Sequence, residues 1–317
     1  MKSQTIFLMI LASLAVFGCN VTPNTSEPKT KVAAKELKAT ALPTDTIPTL
    51  RPIGKRGFFV LDGPFTEFDP THPSVELWIP DGNKRAPIVV YAHGGAGFRA
   101  DDRARVEMFR KNGFATLSFD SYSMNGFEDW EFVTRKVANS GKQSMIWGVY
   151  KGALKYASTS GDWDNRNIIM YGGSNGGRVI LYAASQIHSE NIRAIVSEAP
   201  AGSGFALGDY NVPTIIPFGA LDTWAGNSDT DYVWKRTYPG SPVSLEDWVL
   251  LQQGRGRPIK FVFYENAGHL IFDGPLEKVT VRRGDKIAFT AYQGAEDGVL
   301  EQYENDVIAF ARENLIP

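Results

Sequence analysis

Cysteine is almost absent from this chain: Cys19 is the only one among 317 residues. No internal disulfide can therefore form, and a cysteine nucleophile is excluded from everything beyond the first nineteen residues. Charge of one sign is lacking as well. The 33 Lys and Arg against 35 Asp and Glu leave a formal net charge of -2 and a pI of about 6.1. With no positive field to hold a polyanion, nucleic acid is not expected as a partner. Histidine is scarce, at 4 residues, and no His, Asp or Glu cluster has metal-ligand spacing. Neither a metal nor an organic cofactor is implied. Internal repeats and long blocks of like charge are also missing, so nothing divides the bulk of the chain.

The N-terminus is different in kind. Lys2 supplies a positive start, Ile6 to Phe17 is apolar, and Val16-Phe17-Gly18-Cys19 closes the run with a small residue before cysteine. Such a segment is too short to span a bilayer and reads as an export signal over 1–19. It resembles the lipobox of bacterial lipoproteins, which implies that Cys19 becomes the lipidated first residue of an exported, envelope-anchored chain. A plain secretory signal cleaved nearby is the alternative. Asn20 is not the aspartate that favours inner-membrane retention in the enterobacterial lipoproteins it resembles. For a Gram-negative host this implies an anchor in the outer membrane, or at least at the periplasmic face. Residues 20–50, rich in Thr, Pro, Lys, Ser and Ala, bury too little to order themselves and are expected to be a disordered tether. Residues 51–317 are expected to form one catalytic domain, since 43% hydrophobic residues suffice for one large core.

Within that domain, short β-branched or aromatic runs alternate with longer amphipathic stretches. Strands are predicted at Phe58 to Leu61, Val75 to Ile79, Ile88 to Ala92, Ala115 to Phe119, Ile168 to Tyr171, Ala194 to Ser197, Thr214 to Phe218 and Lys260 to Tyr264. Helices are predicted at Asp101 to Asn112, Gln143 to Thr159, Asn175 to Gln186 and Asp297 to Leu315. Continuous apolar strands between helices imply an α/β fold: a mainly parallel central sheet with helices on both faces, starting with two antiparallel strands.

The strongest local signal is Ile168-Ile169-Met170-Tyr171-Gly172-Gly173-Ser174-Asn175-Gly176-Gly177. A buried strand runs into G-x-S-x-G and then a helix, the context in which a serine hydroxyl stands exposed on a sharp turn. Ser174 is the candidate nucleophile, and the Asn175 amide at the helix start would face a developing oxyanion. A serine needs a base. His72 lies in a Pro-flanked loop, His93 ends a strand before glycines, and His188 follows the nucleophile's own helix. His269 sits just past the strand Lys260 to Tyr264, at the carboxyl edge where catalytic groups of such sheets gather, and is the predicted base. The orienting acid should lie between them at another strand end. Asp222 closes Thr214-Ile215-Ile216-Pro217-Phe218-Gly219-Ala220-Leu221-Asp222, 48 residues after Ser174 and 47 before His269. Asp209, Asp229 and Asp231 compete from loop-like sequence. The loop His93-Gly94-Gly95-Ala96-Gly97 after the strand Ile88 to Ala92 offers the Gly94 and Gly95 amides as second oxyanion donors, with His93 bracing the loop. It lacks the G-x-x-x-x-G-K-[ST] phosphate-loop pattern.

The order of these motifs resembles the dienelactone hydrolase family of α/β-hydrolases over roughly residues 75 to 315. The matching pieces are HGGAG at His93, Gly113 to Tyr122, the GGSNGG turn, PFGALD ending in Asp222, and AGHLIFD from Ala267 to Asp273. The resemblance implies carboxylic ester or lactone hydrolysis through an acyl-enzyme. The founding members use cysteine where this chain has Ser174, so dienelactone itself is not implied as substrate. Glu277 to Tyr292 reads as a hairpin inserted before the last helix, either shaping the pocket or, preferably, covering a sheet edge. Trp130, Trp224 and Trp234 fall where they could overhang the site, with core or lid packing an equal alternative. Arg99 and Arg178 could hold a substrate carboxylate, with surface charge the preferred reading of each. The expected activity is a serine hydrolase with a Ser-His-Asp triad acting on a small-molecule ester or lactone. A serine peptidase with the same machinery, or a catalytically silent lipid-anchored binding protein, are the alternatives.

Overall fold

The computed structural model describes residues 35–36, 67–82, 85–128, 133, 137, 139–159, 161–186, 189–200, 211–224, 245–283 and 286–317. The expected signal segment with Cys19, nearly all of the expected tether and the predicted strand Phe58 to Leu61 lie outside them, as do His188, Trp130, Trp234, Asp209, Asp229 and Asp231.

Among the described residues, eight strands make the main sheet: β1 (Lys35–Glu36), β2 (Val75–Trp78), β3 (Pro87–Ala92), β4 (Ala115–Phe119), β5 (Asp164–Gly173), β6 (Ile192–Glu198), β7 (Thr214–Gly219) and β8 (Ile259–Tyr264). Their spatial order is β1-β8-β7-β6-β5-β3-β4-β2. From β4 through β8 every neighbouring pair is parallel, while β2 runs antiparallel to β4 at one edge and β1 antiparallel to β8 at the other. The two-residue β1 lies inside the stretch expected as a tether. An edge strand such as β8 carries unpaired backbone groups that a passing chain can satisfy.

Because the sheet is covered on both faces, its inner strands carry consecutive buried residues, as in Ile88 to Ala92 of β3 and Ile168 to Tyr171 of β5. Ile88, Val90 and Ala92 of β3 enter one core layer with Ile168 and Met170 of β5, and Val89 and Tyr91 enter the other with Ile169 and Tyr171. The first layer is closed by α3 (Asn139–Thr159) through Ile146, Val149, Tyr150 and Leu154, and by α4 (Asn175–Gln186) through Val179, Ile180 and Ala183. The second is closed by α1 (Ala100–Lys111) through Val106 and Phe109, and by α6 (Val299–Glu313) through Tyr303, Val307 and Phe310. This is the α/β arrangement expected from the sequence.

Among the described residues, two helices of four residues or more were not anticipated: α2 (Ser121–Met124) and α5 (Leu245–Gly254). The first is a single turn, nucleated by the Asp120 side chain, which accepts from the Tyr122 and Ser123 amides. The predicted hairpin forms as β9 (Glu277–Arg283) and β10 (Lys286–Gln293), in a separate two-stranded sheet. The end of β10 runs beside the loop of His269, whose N–H donates to the Tyr292 carbonyl at 2.8 Å and whose carbonyl accepts from the Gly294 N–H at 3.2 Å.

Phe109 clamps α1 to the sheet, with its ring centroid 5.4 Å from those of both Phe114 and Tyr171. Phe109→Ala is expected to lower the unfolding free energy by about 3–5 kcal/mol. Leu77→Ala, on an exposed edge position, should cost less than about 1 kcal/mol. Urea titrations of the two variants check this.

Candidate active site

At the end of β5 the chain turns into α4 within one residue, and Ser174 makes that turn with φ 52°. A side chain in the left-handed region is unfavourable, so the turn must be held from outside. The Ser174 N–H donates to the Glu198 carbonyl at 2.9 Å, and the Ser174 carbonyl accepts from the Arg178 N–H at 3.0 Å, opening the helix. Gly176 makes the turn possible at all. A Cβ there would stand 2.1 Å from the Ala92 carbonyl oxygen and 2.6 Å from that of His93, so α4 packs backbone to backbone against the end of β3.

The three residues selected from chain order meet here. Ser174 Oγ lies 2.9 Å from His269 Nε2, and His269 Nδ1 lies 2.7 Å from Asp222 Oδ2. The carboxylate can only accept, so Nδ1–H donates to it and Nε2 is left to accept from the serine hydroxyl. All three are buried, and Asp222 is wholly enclosed. Its second oxygen accepts from the Trp224 N–H at 2.7 Å. Backbone bonds from Ala220 N–H to the Tyr264 carbonyl and from Leu221 N–H to the Ala267 carbonyl bring the loops of Asp222 and His269 together. Burial by itself pushes the His269 imidazole down. The Asp222 carboxylate and its hydrogen bond, followed by Asp273 and Glu198, outweigh burial and hold His269 above the ordinary histidine value.

The glycine loop after β3 lies against this turn. A Cβ on Gly94 would be 3.7 Å from the Ser174 Cβ, and one on Gly95 only 2.6 Å from Asn175 Nδ2. His93 fixes the loop. Its Nε2 accepts from the Ser121 N–H at 3.0 Å, so its Nδ1–H must donate to the Gly94 carbonyl at 2.8 Å. With both ring nitrogens committed, His93 braces and cannot serve as a base. The Tyr122 hydroxyl donates to the Gly95 carbonyl at 3.2 Å. Asn175 Oδ1 accepts from Gln143 Nε2 of α3 at 2.9 Å. The backbone N–H of Asn175, in the first turn of α4, has no intrahelical acceptor available.

No protein-family model matches the chain, and no curated protein matches it in sequence. Solved structures do. A dienelactone hydrolase-like promiscuous phosphotriesterase from metagenomic libraries superposes with a TM-score of 0.55 at 15% identity, covering 76% of this chain and 92% of its own. A candidate dienelactone hydrolase from Klebsiella pneumoniae gives 0.53 at 16% identity, over 75% of this chain and 92% of its own. Dienelactone hydrolase from Anabaena variabilis gives 0.50 at 20% identity, over 76% and 92%. The chain has the α/β-hydrolase fold.

Around the elbow of this α/β-hydrolase fold the sequence reading missed a group of ions. Glu198 ends β6 directly behind Ser174, Arg105 of α1 pairs with it at 2.7 Å, and Asp273 pairs with Arg105 at 3.1 Å. A signal existed: Arg105 falls on the apolar stripe of α1 with Asp102, Val106 and Phe109, where an unpaired charge is not tolerated. Of the other residues singled out, Trp224 packs its ring edge on His269 with centroids 4.9 Å apart. His72 hydrogen-bonds Ser74. Arg99 is exposed, as preferred, whereas Arg178 is buried and not surface charge.

Gly176→Ala sets a Cβ against immobile backbone and is expected to cost at least about 3 kcal/mol. Gly254→Ala, with nothing within 4 Å of its Cβ position, should leave the melting temperature unchanged or higher. Calorimetry on both variants distinguishes close packing at the turn from a general intolerance of added methyl groups.

Proposed function

We propose that this protein is a serine hydrolase that cleaves carboxylic esters or lactones through an acyl-enzyme. One observation carries the reading: the unbroken hydrogen-bonded line from Ser174 through His269 to a fully buried Asp222. The names of the structural neighbours, dienelactone hydrolase and phosphotriesterase, both belong to ester-cleaving proteins and agree with it.

Ser174 Oγ attacks the carbonyl carbon while its proton passes to His269 Nε2. Asp222 holds the imidazole in the tautomer that can accept and stabilises the imidazolium once formed. The carbonyl oxygen, now carrying negative charge, is received by the Asn175 amide and by that of Gly94 or Gly95, with the N-terminal dipole of α4 adding to them. The alkoxide leaves with the proton from His269. Water then attacks the acyl group, losing its proton to the same base, and the acid departs from a restored Ser174 hydroxyl. The base works as neutral imidazole, so activity falls as pH drops through its raised pKa.

A fluorophosphonate probe should label the chain without residues 1–31, which keeps β1, and Ser174→Ala should abolish labelling. Asp222→Asn should lower kcat/KM on a p-nitrophenyl ester by about 10⁴-fold. Equal labelling of wild type and Ser174→Ala overturns the reading. Cleavage of a peptide amide as fast as the ester of the same acyl group replaces it with a peptidase.

We further propose that the chain is exported and held in the cell envelope by lipid on Cys19, on the strength of the apolar run and small residue before the sole cysteine. Cys19→Ser should move the protein from the membrane to the soluble fraction. An unchanged distribution rules the anchor out.

A further inference from the structure

Arg105, Glu198 and Asp273 form a buried ion cluster that the reaction above leaves without a task. Arg105 Nε donates to Glu198 Oε2 at 2.7 Å, and its Nη2 donates to Glu198 Oε1 at 3.3 Å and to Asp273 Oδ1 at 3.1 Å. Arg105 and Glu198 are sealed from solvent, while Asp273 keeps 11% of its side chain exposed. Charges this deep are costly unless they serve structure or chemistry.

The cluster touches both halves of the proposed machinery. Glu198 accepts the Ser174 N–H through its carbonyl and the Ile271 N–H, two residues past His269, through Oε1 at 3.0 Å. Asp273 lies four residues past His269, and its Oδ2 accepts from Gln293 Nε2 at 2.7 Å. Gln293 ends β10 as the bridge partner of His269. A Cβ on Gly173, next to Ser174, would stand 3.7 Å from Glu198 Oε2 and 3.8 Å from Arg105 Nε.

We infer that this cluster is an electrostatic and positioning device for His269. Its two carboxylates exceed its one guanidinium by a single negative charge, which favours the imidazolium formed when Ser174 surrenders its proton. Asp273 is the adjustable member, the one that solvent reaches. It faces Arg105 and Asp101 of α1, Glu198 of β6 and Gln293 of β10, while the Tyr171 hydroxyl donates to Glu198 and is bonded in turn to that of Tyr303. Burial raises its carboxyl to about 6; Arg105 pulls it down, and Asp101 and Glu198 push it up. Below that pH Asp273 is neutral and the surplus charge is gone. Asp222 remains the direct partner of the imidazole; Asp273 and Glu198 are positioning residues acting through it and through the loop.

The inference rests on the reading of Ser174 as nucleophile and His269 as base, and its test separates the two. The rate of fluorophosphonate labelling is followed from pH 4.5 to 9. Wild type should show an acid limb that no single ionisation fits, because His269 and Asp273 titrate as a coupled pair. Asp273→Asn should show a single ionisation with a lower midpoint, and a plateau about threefold to tenfold slower as the base weakens. Its melting temperature at pH 8 should not fall, since the fold holds this carboxylate in ionised form against its preference. Gln293→Met removes a donor to the carboxylate and should move only the Asp273 step to higher pH. A loss in Asp273→Asn that is equal at every pH, with the midpoint unmoved, marks a purely structural role and overturns the inference. A limb unmoved in both variants does the same, leaving Ser174 as nucleophile intact. Failure of wild type to label removes the hydrolase reading itself.

Discussion

The buried pair of Arg105 with Glu198 joins α1, the centre of the sheet and the loop of His269 through charge. Each ion gives up several kcal/mol of hydration in an interior this closed, and only near-ideal geometry offsets it. Glu198 attains that geometry by receiving two guanidinium hydrogens, the Tyr171 hydroxyl and the Ile271 amide. As a result α1, the centre of the sheet and the loop of His269 are locked to one point. Loss of either partner alone would strand a charge there at a cost of about 3–5 kcal/mol.

That lock sits where the backbone is most strained. Among the described residues, the non-glycine positions with positive φ are Ser174, Ala199 and Leu270. They are the proposed nucleophile, the neighbour of Glu198 and the neighbour of His269. Each such conformation costs on the order of 1–3 kcal/mol and persists only when its surroundings leave no alternative. Two apolar layers and the ion cluster supply that constraint. The hydroxyl and imidazole are thereby held at hydrogen-bond distance in advance, so little reorganisation is left for the reaction. The hairpin β9–β10 belongs to the same system, since its last residues bond the backbone of His269 and the side chain of Asp273.

Much of the fold was legible because its strands are local facts. Ala115 to Phe119 coincides with β4, and the other described strands differ from their predicted spans by a few residues at their ends, except β1, which was not foreseen within the tether. The run Thr214 to Asp222 placed an acid at a strand end before any distance was known. Helix α2 escaped notice because a single capped turn has no periodicity to detect, and α5 because its apolar residues do not repeat cleanly on one face. The hairpin was legible as a hairpin, but its partner was not. Its alternating residues suit any apolar surface, and only the assembled chain sets it beside His269.

Chain order, strand ends and glycines were enough to determine the fold class and to nominate Ser174, Asp222 and His269, because those features are written in consecutive residues. The tertiary structure alone decided that these three side chains lie within hydrogen-bond reach. It also made His93 a brace with no free nitrogen, and joined Arg105, Glu198 and Asp273, at separations of 93 and 168 residues, in one cluster. The reason is physical. A backbone turn is encoded by its neighbours, whereas a buried charge is tolerated only by partners that the rest of the fold delivers.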